Sequence, residues 1–214
     1  IWSLALRYGG RNMDMASARD FNEWTVPGDS QNLYVSENGN KHGGDFYSVS
    51  MDYSHTFSNK DHKLSGHTML SSNSDMEESS TDLFDTASIK LSGQRTKERG
   101  PSSRIQLNLE YELPVWEADK FEAGYQGSFR QNTDTSELYE YDTLTGDYEF
   151  RPEFSNVVDY GDNIHSLYAL YKGEKGDFGY QGAIRSEYQY RVIELVGGND
   201  DFILDAWDFF PTAH

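Results

Sequence analysis

The sequence predicts an all-β protein, an antiparallel up-and-down meander forming part of a large transmembrane β-barrel wall. Three observations predict it. Apolar and polar residues alternate with a period of two through several segments, as side chains on opposite faces of a strand do. The connections between segments alternate between short turns and long polar stretches, the layout of an outer-membrane barrel rather than a sandwich. No useful length of chain carries a helical period, and no run of roughly 18 apolar residues offers a membrane-spanning helix.

Taken in order, residues 1–8 set Trp2, Leu4, Leu6 and Tyr8 on one face. Residues 44–57 place Tyr47, Val49, Met51 and Tyr53 against Ser48, Ser50, Asp52 and Ser54, and a weaker alternation runs over 62–72. Residues 103–113 oppose Ile105, Leu107, Leu109, Tyr111 and Leu113 to Gln106, Asn108, Glu110 and Glu112. Residues 120–131 oppose Phe121, Ala123, Tyr125 and Phe129 to Glu122, Gln126, Ser128 and Arg130. Residues 164–172 follow. Residues 178–194 then carry Phe178, Tyr180, Ile184, Tyr188 and Tyr190 on one side and Gln181, Arg185, Glu187 and Gln189 on the other; a further strand begins near 201. The expectation is about seven or eight strands with ends uncertain by two to four residues.

SNKDH (58–62), PVWEADK (114–120) and GEKGD (173–177) read as short turns. The stretches 12–42, 73–102 and 132–162 are acidic, rich in Ser, Asn, Asp and Gly, and read as long loops. Loops of that length are unusual in a compact soluble domain and expected on the outer side of a barrel. A strand crosses a bilayer in about 9–11 residues with its apolar face to lipid and its polar face to a wet lumen. The lipid-facing candidates are therefore Tyr47, Val49, Met51, Leu107, Leu109, Tyr125, Ile184 and Tyr188. The lumen-lining candidates are Asp52, Asn108, Glu110, Gln126, Arg130, Arg185 and Glu187. Phe57, Tyr111, Trp116, Phe121, Tyr171 and Phe178 sit beside the short turns, where an interfacial aromatic girdle belongs.

Composition narrows the partners. Lys+Arg is 18 against Asp+Glu 36, a net charge of −18, which argues against nucleic acid because phosphate binding needs a basic surface. Cysteine is absent, which removes disulfides, thiolate metal sites and thiol catalysis. His42/His55 and His62/His67 lack the spacing of a metal site. Asp159–Asn163 and Gly198–Asp201 offer oxygen ligands without calcium-loop spacing. Glu77–Glu78 and Glu110/Glu112 form carboxylate pairs with no matched partner across a cleft in view. Neither a nucleophile elbow nor a phosphate-cradling glycine loop is present, so the reading is not an enzyme and has no cofactor.

KFEAGYQGSFRQ, SNVVDYGDNIHSLYALY, GDFGYQGAIRSEY and DAWDFFPTAH appear in the order that resembles the C-terminal barrels of TonB-dependent outer-membrane receptors. The likeness is strong over roughly 105–214 and rests on meander layout before that. It implies a barrel of roughly 22 strands plugged by an N-terminal domain. Such a receptor imports a scarce nutrient with energy passed from a TonB-type transducer of the inner membrane. The expected location is the bacterial outer membrane. The expected partners are outer-membrane lipid, the remainder of the barrel with its plug, the transducer acting through that plug, and an unknown nutrient ligand. Both ends fall inside patterned sequence, so the expectation is a barrel piece without a plug. Two other readings remain open: a passive or secretion-type outer-membrane barrel, and a soluble β-rich binding module such as a carbohydrate-binding sandwich.

Overall fold

Alternating, β-branched and aromatic residues favour extended chain, and the computed structural model is a single antiparallel sheet. It describes residues 1–24, 31–59, 61–116, 119–198 and 201–213. The strands are β1 (Trp2–Glu23), β2 (Asn32–Thr56), β3 (Lys63–Asp85), β4 (Lys90–Arg99), β5 (Ser102–Pro114), β6 (Lys120–Tyr141), β7 (Tyr148–Phe150), β8 (Asn156–Lys175), β9 (Phe178–Leu195) and β10 (Asp201–Ala213). A single 3₁₀ turn, Pro152–Phe154, follows β7. The order across the sheet is β1-β2-β3-β4-β6-β8-β9-β10, with β5 also between β3 and β6 and β7 folded onto the end of β6.

β4 and β5 occupy one strand position. Met76 faces Arg99 and Asn73 faces Ser102, so the offset between β3 and its neighbour is unchanged across the gap; the same holds on β6. The gap is Gly100–Pro101. Proline has no N–H to donate and interrupts the ladder there. Gly100 still donates to the Asp75 carbonyl at 2.9 Å and Pro101 accepts from Thr133 at 3.2 Å. The wall is thus eight strand positions wide.

The stretches expected as long loops are a correction. β1 and β2 stay paired from Trp2↔Tyr53 to Glu23↔Asn32, and β2 and β3 from Thr56↔Lys63 to Tyr34↔Asp85. β6 and β8 likewise pair as far as Ser136↔Asn156. Most of 12–42, 73–102 and 132–162 is therefore strand. Beyond the apolar segments neither face is continuously apolar, so no sustained hydrophobic period marks these strands, and backbone pairing extends them. The short-turn expectations hold in position: backbone bonds close Phe57 to His62 and Val115 to Asp119, and Gly176, at φ +63°, makes the tight turn between β8 and β9. Residues 25–30, 60, 117, 118, 199, 200 and 214 lie outside the described residues; they are parts of the 12–42 stretch, the expected 58–62 and 114–120 turns, the Gly198–Asp201 stretch and the DAWDFFPTAH motif.

No apolar side chain among the described residues is buried; the buried polar ones are Ser36 and Ser166. A soluble domain of this length buries most of its apolar side chains in a core. A sandwich needs a second sheet packed about 10 Å away, and the described residues form a single layer, which removes the soluble-sandwich reading.

Close approach of β2 and β3 gives one test of the packing. A Cβ on Gly44 would overlap the Ser74 carbonyl oxygen, a backbone atom that no rotamer change removes. Gly44→Ala is expected to cost about 1–3 kcal/mol, as overpacking does. It should appear as a lower urea midpoint of the detergent-folded protein. Gly161→Ala, with open space around its Cβ, should leave the midpoint unchanged.

Candidate functional site

Strand pairing carries each face across the whole sheet. One row reads Ser3, Asp52, His67, Asn108, Gln126, Ser166, Glu187 and Asp208, each residue directly opposite the next. The adjacent row on the same face contains Ser54, Ser65, Glu110, Gly124, Tyr168 and Arg185. Arg130, opposite Arg104 and Asp162, lies further along that face. The structure therefore places Asp52, Asn108, Glu110, Gln126, Arg130, Arg185 and Glu187 on one polar face.

The opposite face is apolar. Trp2, Tyr53, Gly66, Leu109, Tyr125, Leu167, Ser186 and Phe209 form one row. Leu4, Met51, Thr68, Leu107, Gly127, His165, Tyr188 and Trp207 form the next. Val49 shares a row with Leu6, Leu70, Ile105 and Phe129; Tyr47 pairs with Tyr8; Ile184 pairs with Ala169 and Pro211. Tyr47, Val49, Met51, Leu107, Leu109, Tyr125, Ile184 and Tyr188 thus share the face away from the polar set. On β6 this face is apolar or aromatic at Phe121, Ala123, Tyr125 and Phe129, with Gly127 between, and polar from Gln131 to Glu137. That run of nine residues is about 30 Å long at ~3.3 Å per residue. At a barrel tilt of about 35–45° it stands about 21–25 Å tall, close to the height of an outer-membrane apolar band.

The polar face is internally bonded. Ser3 donates to Asp52 at 2.9 Å and His67 Nδ1 lies 2.6 Å from the same carboxylate. Arg185 donates to Gln126 at 3.3 Å, Ser166 at 3.0 Å and Glu187 at 2.8 Å, and Ser166 donates to Glu187 at 2.9 Å. Ser166, 1% exposed, is sealed beneath this cluster. Near the short turns Lys120 pairs with Glu112 and with Glu122 at 3.1 Å, and Lys172 reaches Glu122 at 2.9 Å.

Aromatic side chains gather at the short-turn end. Phe57 stacks on His62 at 4.0 Å, and His62 lies 2.8 Å from the Tyr111 hydroxyl. Tyr171 and Tyr180 donate to Asp119 at 2.5 and 2.8 Å, and these hydrogen bonds hold that turn carboxyl below its usual range. Trp116 and Phe178 are exposed, and Phe121 lies opposite Leu113 and Tyr171. His165, on the apolar face, has its Nδ1 satisfied by Tyr125 at 2.9 Å.

The other sequence candidates separate. Asp159–Asn163 is inside β8 rather than in a loop; Asp159 accepts from Thr133 and Asp162 binds Arg191 at 3.1 Å on the other face, so the stretch is not a cation loop. Glu77 and Glu78 are consecutive in β3 and point to opposite faces. His42 and His55 do the same in β2, and His62 lies in a turn away from His67. His42 is held by Arg11 and lies 3.8 Å from Glu77. Among the described residues no three potential ligands cluster as a metal site. Sequence reasoning missed Arg104, Ser166 and Arg191, and read Asp162 as a loop ligand where it is the ion-pair partner of Arg191. Arg104 continues the alternation of 103–113, but only the register shows what it faces.

The profile of the outer membrane protein beta-barrel family matches residues 55–214. No curated protein matches the sequence. Among solved structures, the ferric citrate transporter FecA in its unliganded form is similar over 98% of this chain and 36% of its own, with 11% identity and a TM-score of 0.52. The copper transporter OprC covers 98% of this chain and 42% of its own at 9% identity and a TM-score of 0.39. The siderophore receptor PiuA from Acinetobacter baumannii covers 99% and 44% at 7% identity and a TM-score of 0.33. The likeness to FecA concerns the fold alone, and the chain spans about a third of FecA's length. An edge-to-edge antiparallel sheet with one apolar face, matched by this profile over most of its length, is a wall of the bacterial outer membrane: the chain belongs to the outer membrane protein beta-barrel family.

Proposed function

We propose that the chain is a wall segment of a TonB-dependent receptor that imports a scarce nutrient across the outer membrane, using energy from the inner membrane. Tyr47, Val49, Met51, Leu107, Leu109, Tyr125, Ile184 and Tyr188 face lipid in this reading. Asp52, Asn108, Glu110, Gln126, Arg130, Arg185 and Glu187 line the lumen, where a plug domain and the solute meet them. The observation that carries the reading is an unburied apolar face of bilayer height backed by a continuous polar one. Lipid supplies the cover that a core supplies elsewhere, and strand pairing satisfies the backbone within the sheet. The fold shared with a ferric citrate transporter supports import over secretion.

Transducer dependence separates active uptake from a passive or secretion barrel. Under growth limited by the imported nutrient, deleting the gene and deleting the inner-membrane transducer should give the same defect, with no further loss in the double deletion. Uptake that persists without the transducer would assign the wall to a passive barrel.

A further inference from the structure

Arg7, Arg104, Arg130 and Arg191 lie on one row of the polar face, with Ser48, Ser71 and Asp162 between them. That is four of the ten arginines of a chain whose net charge is −18. The neighbouring rows are neutral here: Gln106 and Ser128 on one side, Ser102 and Asn132 on the other. Arg104 and Arg130 stand directly opposite each other, and like charges in that relation repel. Among the described residues neither has a carboxylate within ion-pair distance. Asp162, the acid of the row, is engaged by Arg191 and Gln189, each at 3.1 Å. The Arg130 guanidinium lies 5.6 Å from the centre of the Tyr160 ring, a contact that orients it without neutralising it.

Both side chains are exposed, and a cavity of about 500 Å³ opens beside Arg130, with Ser102 and Asn132 in its lining. That volume is within the range of small-molecule sites. Asp75, Glu77, Glu98 and Asp134 form another part of the wall, so an anion is repelled there and directed to the arginine side. β5 and β6 are central in the sheet, and completing the barrel beyond β1 and β10 sets no new strand beside them. We propose that Arg104 and Arg130 form an anion subsite that holds a carboxylate or phosphate group of a small solute. Two arginines at directly opposed positions of one face suit a planar carboxylate or a phosphate, since each guanidinium offers paired N–H donors to an oxyanion. The proposal rests on the polar face being the inner wall of a nutrient importer.

Calorimetric titration of the full-length protein in detergent at low ionic strength tests it, with tricarballylate, inorganic pyrophosphate and uncharged sucrose as probes. One or both anions should bind saturably and sucrose should not; the stronger anion tells carboxylate from phosphate. Arg104→Gln with Arg130→Gln should weaken that binding at least tenfold. Arg151→Gln, whose arginine already pairs with Glu140 and Glu149, should leave it unchanged. Equal affinity in the folded double variant overturns the proposal, as does a wild type that binds neither anion. Anion binding that emerges only after the plug is deleted also overturns it, and assigns the pair to the plug. Arg104→Cys separates this failure from that of the wall reading. Labelling by a membrane-impermeant maleimide places position 104 in water, so that a wild type without anion binding then counts against the subsite alone. Labelling only by a lipid-soluble reagent overturns both.

Discussion

Leu109→Arg is expected to block assembly of the protein in the outer membrane, while Asn108→Arg, one residue away, is tolerated. The two positions are consecutive in β5, so their side chains leave the sheet on opposite faces. Leu109 is 48% exposed and lies mid-belt in the row of Trp2, Tyr53, Tyr125, Leu167 and Phe209. A cation at mid-bilayer on the lipid face of a barrel costs about 2–4 kcal/mol, a factor of roughly 30 to 1000 in the folding equilibrium. Asn108 sits between His67 and Gln126 in the polar row, where an arginine meets water and hydrogen-bond acceptors. The measurement is the fraction of each variant that migrates as the folded, heat-modifiable form in outer-membrane preparations. Equal yields for the two would reject the assignment of faces.

Residues 1–214 alone, in water without detergent, are expected to aggregate. The described residues include no buried apolar side chain to anchor a soluble fold, while Trp2, Leu4, Leu6, Tyr8, Trp207 and Phe209 are each 60% exposed or more. One apolar face running across eight strand positions far exceeds the roughly 300–600 Å² patch that a soluble monomer carries. The outer edges of β1 and β10 add two rows of backbone donors and acceptors without partners among the described residues, templates for further pairing. Light scattering at tens of micromolar should show large particles that detergent disperses. A monodisperse monomer that unfolds cooperatively would sink the membrane reading.

Much of the wall was legible in the sequence where one face meets lipid and the other water, because that contrast writes a period of two. The alternation of β5, from Ile105 to Leu113, and the Phe178–Tyr190 run of β9 follow directly from it. The outer halves of β1, β2, β3 and β6 were not legible. At Lys41–Gly44, Ser71–Ser74 or Gln131–Ser136 neither face is apolar, so strand and loop look alike in residue type. β4, Lys90–Arg99, has a single large apolar residue, Leu91. The arginine row was hidden for another reason. Alternation tells which face Arg104 and Arg130 share, but their direct opposition depends on the length of the turn after Pro114, which no periodicity records.

Strand pairing that continues to the hairpin ends changes how such a wall can shut. β2 is 25 residues long, about 80 Å of extended chain, of which the bilayer needs little more than a third. What stands above the membrane is a stiff palisade, with a hydrogen bond cross-linking it at nearly every step. Soft loops close over a captured molecule by collapsing onto it; palisade staves do so only by tilting as whole hairpins or by unzipping from the tip. Gly100–Pro101 interrupts only the strand between β3 and β6, while the β2–β3 and β6–β8 ladders run past it unbroken. Above the apolar band, motion of the described wall is therefore motion of whole paired hairpins.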